Sequence, residues 1–459
     1  MEVRAPFDNG LIATVELSGP DVVEQALDTA SKTFSHRSQW LSPGVRVAIL
    51  RRTAQLLEQR SETFALEASR EGGKPLVDSR VEVARAIDGL HNAAEALRND
   101  AGHVVPMCLN AASSNRVAFT RYEPIGVVAA VSAFNHPLNL IVHQVAPAVA
   151  AGCPVIVKPA EATPLSCFRL VALLREAGLP DAWCQALVTQ DRATTARLVS
   201  DPRVGYFSFV GSAAVGWRLR SLLAPGTRCA LEHGGVAPVI VAGDADLELA
   251  LPRITKGAFY HAGQVCVSVQ RVFAHRSIVR GVADGLAEHA NRLRVGDPTM
   301  PDTEVGPLIR PQEVARVDTW VKEAAAGGAV IHCGGEAVSR TCYRPTVLLE
   351  PQPSAKVSSQ EVFGPVVCVY AYDDLDEAIA RANHPAFSFH AAIFTRDLNK
   401  AFRAYHLLDA SAVIVNDHTA FRVDWMPFAG LRQSGLGVGG IPYSFRDMQF
   451  EKMFVGVMT

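Results

Sequence analysis

The sequence predicts an α/β fold in which helices cover both faces of a parallel β-sheet. From Gly126 onward, short apolar runs alternate with segments of helical character, beginning with GVVAAVSAF and NLIVHQVAPAVAAGC. The apolar runs are continuous rather than alternating, which is typical of strands buried on both faces of a sheet. With 459 residues, of which 49% are hydrophobic and 20% charged, the chain is long enough for two or three lobes with large cores.

The first element that the pattern predicts is an amphipathic helix through VRVAILRRTAQLLEQRSETFALEASREGG. Ile49, Leu56 and Phe64 recur in it at roughly helical spacing. Gly72 and Gly73 follow as a stop signal, so we expect one long helix that ends at these glycines.

The β–α pattern then runs to the segment RCALEHGG. The predicted strands are GVVAAVSAF, PVIVKPA, ALVTQ, VGYFSFVGS and RCALEHGG, and the segments between them have helical character. Ligands of parallel sheets bind at the carboxyl ends of the strands. The polar or small residues at or just after those ends are Asn135, Lys158, Glu161, Gly211, Ser212 and Glu232. We therefore expect these residues to meet at one binding site.

A glycine-rich segment near the carboxyl end, GLGVGG at 435–440, has the spacing of a dinucleotide-binding fingerprint. That fingerprint requires a strand before it, and a helix and a second strand after it, within about 30 residues. Only about twenty residues follow this segment. We predict a glycine-rich turn here.

Charge and cysteine usage restrict the class of partner. The 44 basic and 46 acidic residues give a formal charge of −2 without long runs of one sign, which argues against nucleic acid or an anionic membrane as a partner. The nine cysteines include no C-x-x-C pair, so a reducing compartment fits better than a disulfide scaffold or a zinc module. The start MEVRAPFDNG lacks a signal-peptide pattern, and no stretch of about 18 apolar residues is present. We expect a cytoplasmic protein with a small-molecule partner.

One cysteine stands in an unusual segment, HAGQVCVSVQRV, where Cys266 follows Gly263 and Gln264. A cysteine among apolar residues is most often an inert small hydrophobe. Its role depends on the rest of the chain, where SAFNHPLNL, PVIVKPAEATPLS, FVGSAAVG, ALEHGG, HAGQVC, QEVFGPV and MPFAGLRQSGLG occur in this order. This series resembles the aldehyde dehydrogenase superfamily over nearly the whole chain. FNHP, GQVCVSVQR and FRVDWMPFAG are similar to the branch acting on lactaldehyde and phosphonoacetaldehyde.

The resemblance implies three catalytic residues. Cys266 matches the family's nucleophile, which forms a thiohemiacetal with the aldehyde and then a thioester. Asn135 matches the residue whose amide stabilises the developing oxyanion. Glu232 matches the general base that activates the hydrolytic water.

The resemblance also implies a nicotinamide cofactor. The matching residues are Lys158 and Glu161 for the adenosine ribose, Gly211, Ser212 and Gly216 near the pyrophosphate, and Glu361 and Phe363 near the nicotinamide ribose. A carboxylate at Glu161 accepts a hydrogen bond from a 2′-hydroxyl and repels a 2′-phosphate. We therefore expect NAD rather than NADP.

The substrate prediction is a small aldehyde that carries a negative charge. Arg422, between Phe421 and Trp425 in the segment before MPF, is expected to bind an anionic group. The alternative for Arg422 is an ion pair with Asp424 or another acid at the surface. Val265 stands where some relatives with anionic substrates have a basic residue, which weakens the anionic assignment. His136 and, by family analogy, Arg85 complete the expected substrate pocket.

The family architecture implies a Rossmann-like cofactor domain from 1–107 and 124–233 and an α/β catalytic domain from 234–440. A bridging β-element from 108–123 and 441–459 would support a homodimer or homotetramer. Three alternatives to hydrolytic oxidation stay open. A phosphorylating reductase would require an activated carboxylate, and nothing in the sequence selects one. A coenzyme A-acylating member would use the same Cys266, although Glu232 argues against it, and a non-catalytic protein that keeps the fold would not require Cys266, Glu232, Asn135 and Lys158 together.

Overall fold

The computed structural model describes residues 1–458 and gives an α/β molecule. The strands are β1 (Glu2–Arg4), β2 (Leu11–Thr14), β3 (Val104–Val105), β4 (Arg116–Pro124), β5 (Val127–Val131), β6 (Val155–Lys158), β7 (Cys184–Ala186), β8 (Val204–Val210), β9 (Arg228–Glu232), β10 (Pro238–Val241), β11 (Arg271–His275), β12 (Val330–Cys333), β13 (Thr346–Leu349), β14 (Val366–Tyr372), β15 (Phe387–Ser388), β16 (His390–Phe394), β17 (Ala412–Val415), β18 (Leu431–Arg432), β19 (Gly435–Leu436) and β20 (Gln449–Val457). The α-helices are α1 (Pro20–Ser35), α2 (Pro43–Gln59), α3 (Ser61–Gly72), α4 (Leu76–Arg98), α5 (Asn139–Ala151), α6 (Leu165–Glu176), α7 (Arg192–Ser200), α8 (Ala213–Arg220), α9 (Leu247–Phe259), α10 (Val279–Arg292), α11 (Pro311–Ala326), α12 (Lys356–Ser359), α13 (Leu375–Asn383), α14 (Leu398–Leu407) and α15 (Ile441–Asp447).

The prediction of one long helix through VRVAILRRTAQLLEQRSETFALEASREGG is wrong, because α2 and α3 are separate helices. Arg60 lies between them with φ −116° and ψ 16°, outside the helical region. Both helices bury apolar residues in the same core, for example Leu57 and Phe64, so the apolar spacing continues across the break. The stop at the glycines is confirmed, since Gly73 ends α3 with a left-handed φ of 74°.

The first large sheet confirms the predicted β–α pattern. Its strand order is β19-β9-β8-β5-β6-β7, with β5 to β9 parallel and β19 antiparallel to β9. Alternate residues of β5 enter different cores: Val128 packs under α4 and α5, whereas Val127 packs toward α1. Helices therefore cover both faces. The strand predicted at ALVTQ forms slightly earlier, over Cys184–Ala186.

The second large sheet has the order β12-β13-β14-β11-β10-β16-β17 and is parallel except for β12. Its strands and the helices packed on them form an apolar core that includes Val272 and Val369. A third sheet, β20-β4-β3, is antiparallel and confirms the two predicted strands, which form over Arg116–Pro124 and over Gln449–Val457.

The glycine-rich segment 435–440 forms a turn, as predicted. Gly435–Leu436 is β19, and Gly437 and Gly440 have φ values of 80° and 102° on the way into α15. β19 thus returns to the first sheet although its residues lie within the predicted catalytic range, 234–440. The division into three domains stays a prediction. Over residues 1–458, none of the helices combines the length and apolar content needed to cross a bilayer.

Candidate active site

One cavity of about 560 Å³ lies where the carboxyl ends of the first sheet face segments of the second lobe. The residues from the strand ends that line it include all six expected there: Asn135, Lys158, Glu161, Gly211, Ser212 and Glu232. From the other lobe, the wall includes Cys266, Glu361 and Arg422. The structure therefore brings the strand-end residues and the unusual cysteine to one place.

A tight turn sets the position of Cys266. After α9, His261, Ala262 and Gly263 have φ values of 49°, 53° and 69°, so three consecutive residues are left-handed. A Cβ on Gly263 would lie 2.2 Å from the carbonyl oxygen of Gly364, so only glycine fits there. Gln264 then anchors the segment, because its Nε2 donates to Pro307 O at 3.2 Å and its Oε1 accepts from Ile309 N at 3.0 Å. The left-handed turn and the hydrogen bonds of Gln264 therefore fix the backbone just before Cys266.

The thiol of Cys266 lies 3.4 Å from Glu232 Oε1. Burial raises the pKa of this thiol well above its ordinary value, and the Glu232 carboxylate raises it further, while the Arg422 guanidinium opposes the rise. Burial also raises the pKa of Glu232, again against the charge of Arg422. The cation therefore favours the ionised form of both groups. This arrangement suits a thiol and a base that exchange a proton during a reaction.

Asn135 is held against the cysteine segment. Its Nδ2 donates to the carbonyl oxygen of Gln264 at 2.9 Å. A primary amide has two N–H groups, so this bond orients the side chain and leaves the second N–H for a ligand. His136, the next residue, also lines the cavity, with its ring 6.4 Å from the ring of Tyr260.

The residues expected at the adenosine end form a polar cluster. Lys158 Nζ lies 3.4 Å from Glu161 Oε1, and Glu161 is 60% exposed on the cavity wall. A Cβ on Gly211 would lie 2.8 Å from the Phe209 ring. Gly216 does not line the cavity. A Cβ there would lie 1.9 Å from His233 Cε1, so this glycine allows α8 to pack closely on the strand end.

Glu361 gives the best test of whether a dinucleotide fits. Its carboxylate is buried on the cavity wall, its Oε1 has no hydrogen-bond partner, and burial raises its pKa to about 8. A Cβ on Gly234 would lie 1.5 Å from Glu361 Oε1. A buried oxygen without a hydrogen-bond partner is costly, and a ribose hydroxyl would supply a partner for Oε1. Phe363 lines the same region, edge to face with Phe134 at 5.8 Å.

Arg422 is half-buried beside the Cys266–Glu232 pair and is not paired with an acid. Its Cζ lies 3.6 Å above the Phe428 ring, its Nη2 lies 3.4 Å from His143 Nδ1, and its Nε has no partner. Over residues 1–458 it forms no salt bridge, so the alternative of an ion pair with Asp424 is not what the structure contains.

Asp424 instead binds Arg85 through two hydrogen bonds, at 2.7 and 3.1 Å, and His143 Nε2 at 2.6 Å. Burial would raise the pKa of Asp424, but these partners hold it well below its usual range. Arg85 lines the cavity, although Asp424 already neutralises it. Phe421 is 45% exposed and is not part of the wall, so the structure does not bring it to the expected substrate pocket.

Several wall residues were not expected from the sequence. They include Phe134, Asn139, Tyr260, Val267, Glu313, Arg316, Trp320 and Phe428. Most lie within a few residues of a recognised motif, so proximity to the motifs was a usable signal. Glu313, Arg316 and Trp320 lie on α11 and had no such signal. Within residues 1–458, no group of three or more His, Cys, Asp or Glu side chains could hold a metal ion.

Comparisons with known proteins identify one family. Residues 1–454 match the model of the aldehyde dehydrogenase family. The chain is 39% identical over 455 residues to 3-sulfolactaldehyde dehydrogenase of Priestia aryabhattai, covering 99% of this chain and 94% of that protein.

Solved structures of aldehyde dehydrogenases superpose closely on this chain. Aldehyde dehydrogenase 21 of Physcomitrella patens, in complex with the reaction product succinate, superposes with a TM-score of 0.96 at 34% identity, covering 100% of this chain and 95% of that chain. A glyceraldehyde-3-phosphate dehydrogenase of Methanocaldococcus jannaschii, complexed with NADP, gives 0.95 at 32% identity, covering 100% and 99%.

The fold and the comparisons define an oxidoreductase that acts on aldehydes. The chain belongs to the aldehyde dehydrogenase family. The predicted family is therefore confirmed, and the 3-sulfolactaldehyde relative is consistent with the predicted similarity to the lactaldehyde branch.

Proposed function

We propose that this enzyme oxidises a small anionic aldehyde to its carboxylic acid with NAD, through covalent intermediates on Cys266. The observation that carries the proposal is the 3.4 Å approach of Cys266 Sγ to Glu232 Oε1 on the cavity wall. Asn135 completes the arrangement because its amide is bonded to the Cys266 segment. A nucleophile, a base and an oxyanion donor are the three groups that acyl chemistry of this kind requires.

In the first step, Glu232 or water takes the thiol proton and Cys266 Sγ adds to the aldehyde carbon. The carbonyl oxygen becomes an alkoxide, and the free N–H of Asn135, with the backbone N–H of Cys266, stabilises it. One such donor contributes on the order of 3 kcal/mol. When bound, the nicotinamide supplies the acceptor for a hydride. Loss of hydride from the tetrahedral carbon leaves a thioester on Cys266.

In the second step, Glu232 is ionised again, because any proton taken from the thiol has passed to solvent, and it accepts a proton from water while the resulting hydroxide adds to the thioester carbon. Collapse of this adduct releases the carboxylic acid and returns the thiolate of Cys266. Glu232 is suited to this role because it lines the cavity, lies 3.4 Å from the Cys266 thiol and has no salt-bridge partner within residues 1–458.

NAD is proposed as the cofactor because Glu161 places a carboxylate on the adenosine side of the cavity. Lys158, Gly211, Ser212, Glu361 and Phe363 would hold the rest of the dinucleotide. The Methanocaldococcus relative is complexed with NADP, so the choice between the two cofactors requires measurement. Lys158 Nζ is 3.4 Å from Glu161 Oε1, which reduces but does not remove the repulsion of a 2′-phosphate.

An anionic substrate is proposed because Arg422 is a half-buried cation on the cavity wall and its Nε has no partner. A guanidinium can bind a carboxylate or sulfonate through two parallel hydrogen bonds. The relatives named for 3-sulfolactaldehyde and found with succinate handle molecules of this charge. His136 and Tyr260 lie on the same wall and could contact a polar group of the substrate.

An absorbance assay for NADH with a panel of short aldehydes, with and without coenzyme A, tests the proposed function. We expect NADH production with charged short aldehydes, no requirement for coenzyme A, and release of the free acid. A strict requirement for coenzyme A would instead indicate the acylating reaction.

A homodimer or homotetramer is proposed from the surface of the third sheet. Its exposed apolar residues are Val104, Val117, Phe119, Met453, Phe454, Val455 and Val457. Phe119 stacks on Phe454 at 5.1 Å, and β20 pairs with β4 alone among the described strands. Light scattering of the purified protein tests this assembly.

A cytoplasmic location is proposed from the nine cysteines, all of which are free.

A further inference from the structure

A fully buried ion pair lies behind the loop that carries Asn135. Lys74 and Glu82 are each 1% exposed and form a salt bridge. Glu82 Oε1 also accepts hydrogen bonds from the backbone N–H groups of Leu138 and Asn139, both at 2.9 Å. Isolated burial of such a pair is costly, so its presence next to the active-site loop calls for a functional reason.

These hydrogen bonds cap the start of α5. The first N–H groups of a helix have no partner within the helix, and Leu138, the residue before α5, has no side-chain acceptor. A carboxylate from α4 therefore supplies the cap. Lys74 holds the second oxygen of that carboxylate, which leaves Glu82 one orientation.

The cap fixes the short connection between β5 and α5. Asn135 lies three residues before Leu138, and Pro137 between them has a restricted φ. On the other side, the Asn135 amide is bonded to Gln264 O at 2.9 Å. The loop is thus held at both ends, by Glu82 from behind and by the cysteine segment from the front.

A second buried glutamate makes the same kind of cap on the neighbouring unit. Glu71 of α3 accepts hydrogen bonds from the backbone N–H of Leu165 and, at 3.0 Å, of Ser166, and from Ser166 Oγ at 2.7 Å. These residues begin α6, which follows the loop that carries Lys158 and Glu161. Two adjacent helices thus each supply one carboxylate to one loop of the site.

We propose that Glu82, held by Lys74, is a positioning residue that aims Asn135 at the reacting carbonyl, whereas Glu71 positions the cofactor loop. This inference rests on the proposed oxyanion role of Asn135. Displacement of the Asn135 amide by a fraction of an ångström weakens its bond to the alkoxide more than it weakens cofactor binding. Loss of the α5 cap therefore lowers the rate of hydride transfer and leaves NAD affinity unchanged.

Two double variants separate the cap from the buried charges. Lys74→Met/Glu82→Gln removes both charges but keeps an amide oxygen that can accept from Leu138 and Asn139. Lys74→Met/Glu82→Leu removes the charges and the cap together. We expect NADH burst rates within about threefold of the unmodified enzyme for the first pair and at least about tenfold slower for the second, with the same Kd for NAD and the same alkylation rate of Cys266. Equal burst rates for the two pairs overturn the proposal.

Glu71→Leu, which removes both acceptor oxygens as Glu82→Leu does, is the matched control at the other loop. We expect it to raise the Kd for NAD and to leave the burst rate at saturating NAD within about threefold. If it slows the burst at saturating NAD as much as removal of the α5 cap, the separate roles of the two glutamates are wrong.

The decisive readout is coupling to Asn135, measured by adding Asn135→Ala to each double variant. If Glu82 acts through Asn135, the cap-retaining and cap-removed forms react at equal rates in the Asn135→Ala background. Any difference in Tm between these two forms remains, because the cap still stabilises α5. If Asn135→Ala alone slows hydride transfer but cap removal still costs about tenfold on top of it, Glu82 is a general structural residue and the proposed function stands. If Asn135→Ala alone has no effect, the oxyanion role is refuted, and this inference with it.

Discussion

Cys266 Sγ and Glu232 Oε1 lie 3.4 Å apart on the cavity wall, beside the Arg422 guanidinium. Burial alone would keep both the thiol and the carboxyl in their neutral forms. Arg422 lowers the pKa of each of them relative to that limit. The three side chains therefore form one electrostatic unit, in which the charges of Arg422 and Glu232 both set the pKa of the Cys266 thiol.

The role of Cys266 predicts the effect of removing its thiol. Cys266→Ala should keep the fold and NAD binding but lose at least about 10³-fold in turnover, because no adduct can form. Steady-state NADH production and NAD titration measure the two properties. Cys108→Ala is the control, since Cys108 is exposed and should be dispensable. Near-normal turnover of Cys266→Ala would refute covalent catalysis.

The pH dependence of Cys266 alkylation tests the electrostatic unit. The Glu232 carboxylate raises the pKa of the thiol and the Arg422 cation lowers it. Glu232→Gln should therefore move the alkylation profile to lower pH, and Arg422→Leu should move it to higher pH. Rates of reaction with iodoacetamide from pH 6 to about 10 measure the shift. Shifts in the same direction would contradict the assigned charges.

The carboxylate of Glu161 predicts the cofactor preference. The unmodified enzyme should have a higher kcat/KM with NAD than with NADP, and Glu161→Gln should reduce this preference because the repulsion of the 2′-phosphate disappears. Glu176→Gln is a control with a surface acid that pairs with Arg60. Equal efficiency of the unmodified enzyme with NAD and NADP would refute the role of Glu161.

Arg422 predicts the substrate charge. Arg422→Ala should raise KM for a charged short aldehyde about tenfold or more while leaving KM for lactaldehyde or propionaldehyde nearly unchanged. Arg316→Ala is a matched control, because Arg316 lines the same cavity but is paired with Glu313. Equal rises in KM for charged and neutral aldehydes would assign Arg422 a structural role, whereas an equal fall in kcat for both is expected from its effect on the Cys266 thiol.

The sequence predicted the β–α units because their strands are continuous apolar runs with polar residues at their carboxyl ends. It therefore located Asn135, Lys158 and Glu232 correctly around one cavity. It missed the break at Arg60, because both helices bury residues in one core and the apolar spacing continues across the break.

Contacts between distant segments could not be predicted. Arg85 and Asp424 are 339 residues apart in the chain, and nothing local in either segment indicates that they pair. The same is true of Glu82 and the start of α5. Phe421 shows the opposite error, since its position beside Arg422 suggested the pocket, but its side chain is exposed.

The proposed mechanism depends most on a thioester at Cys266 that Glu232 helps to hydrolyse. Glu232→Gln removes the base and keeps the thiol, so with aldehyde and NAD it should produce NADH in a burst, followed by hydrolysis slowed by about 10²-fold or more. Mass spectrometry of the acid-quenched variant should then find the acyl group on the peptide that contains Cys266. An unmodified Cys266 together with an unchanged steady-state rate would contradict the account.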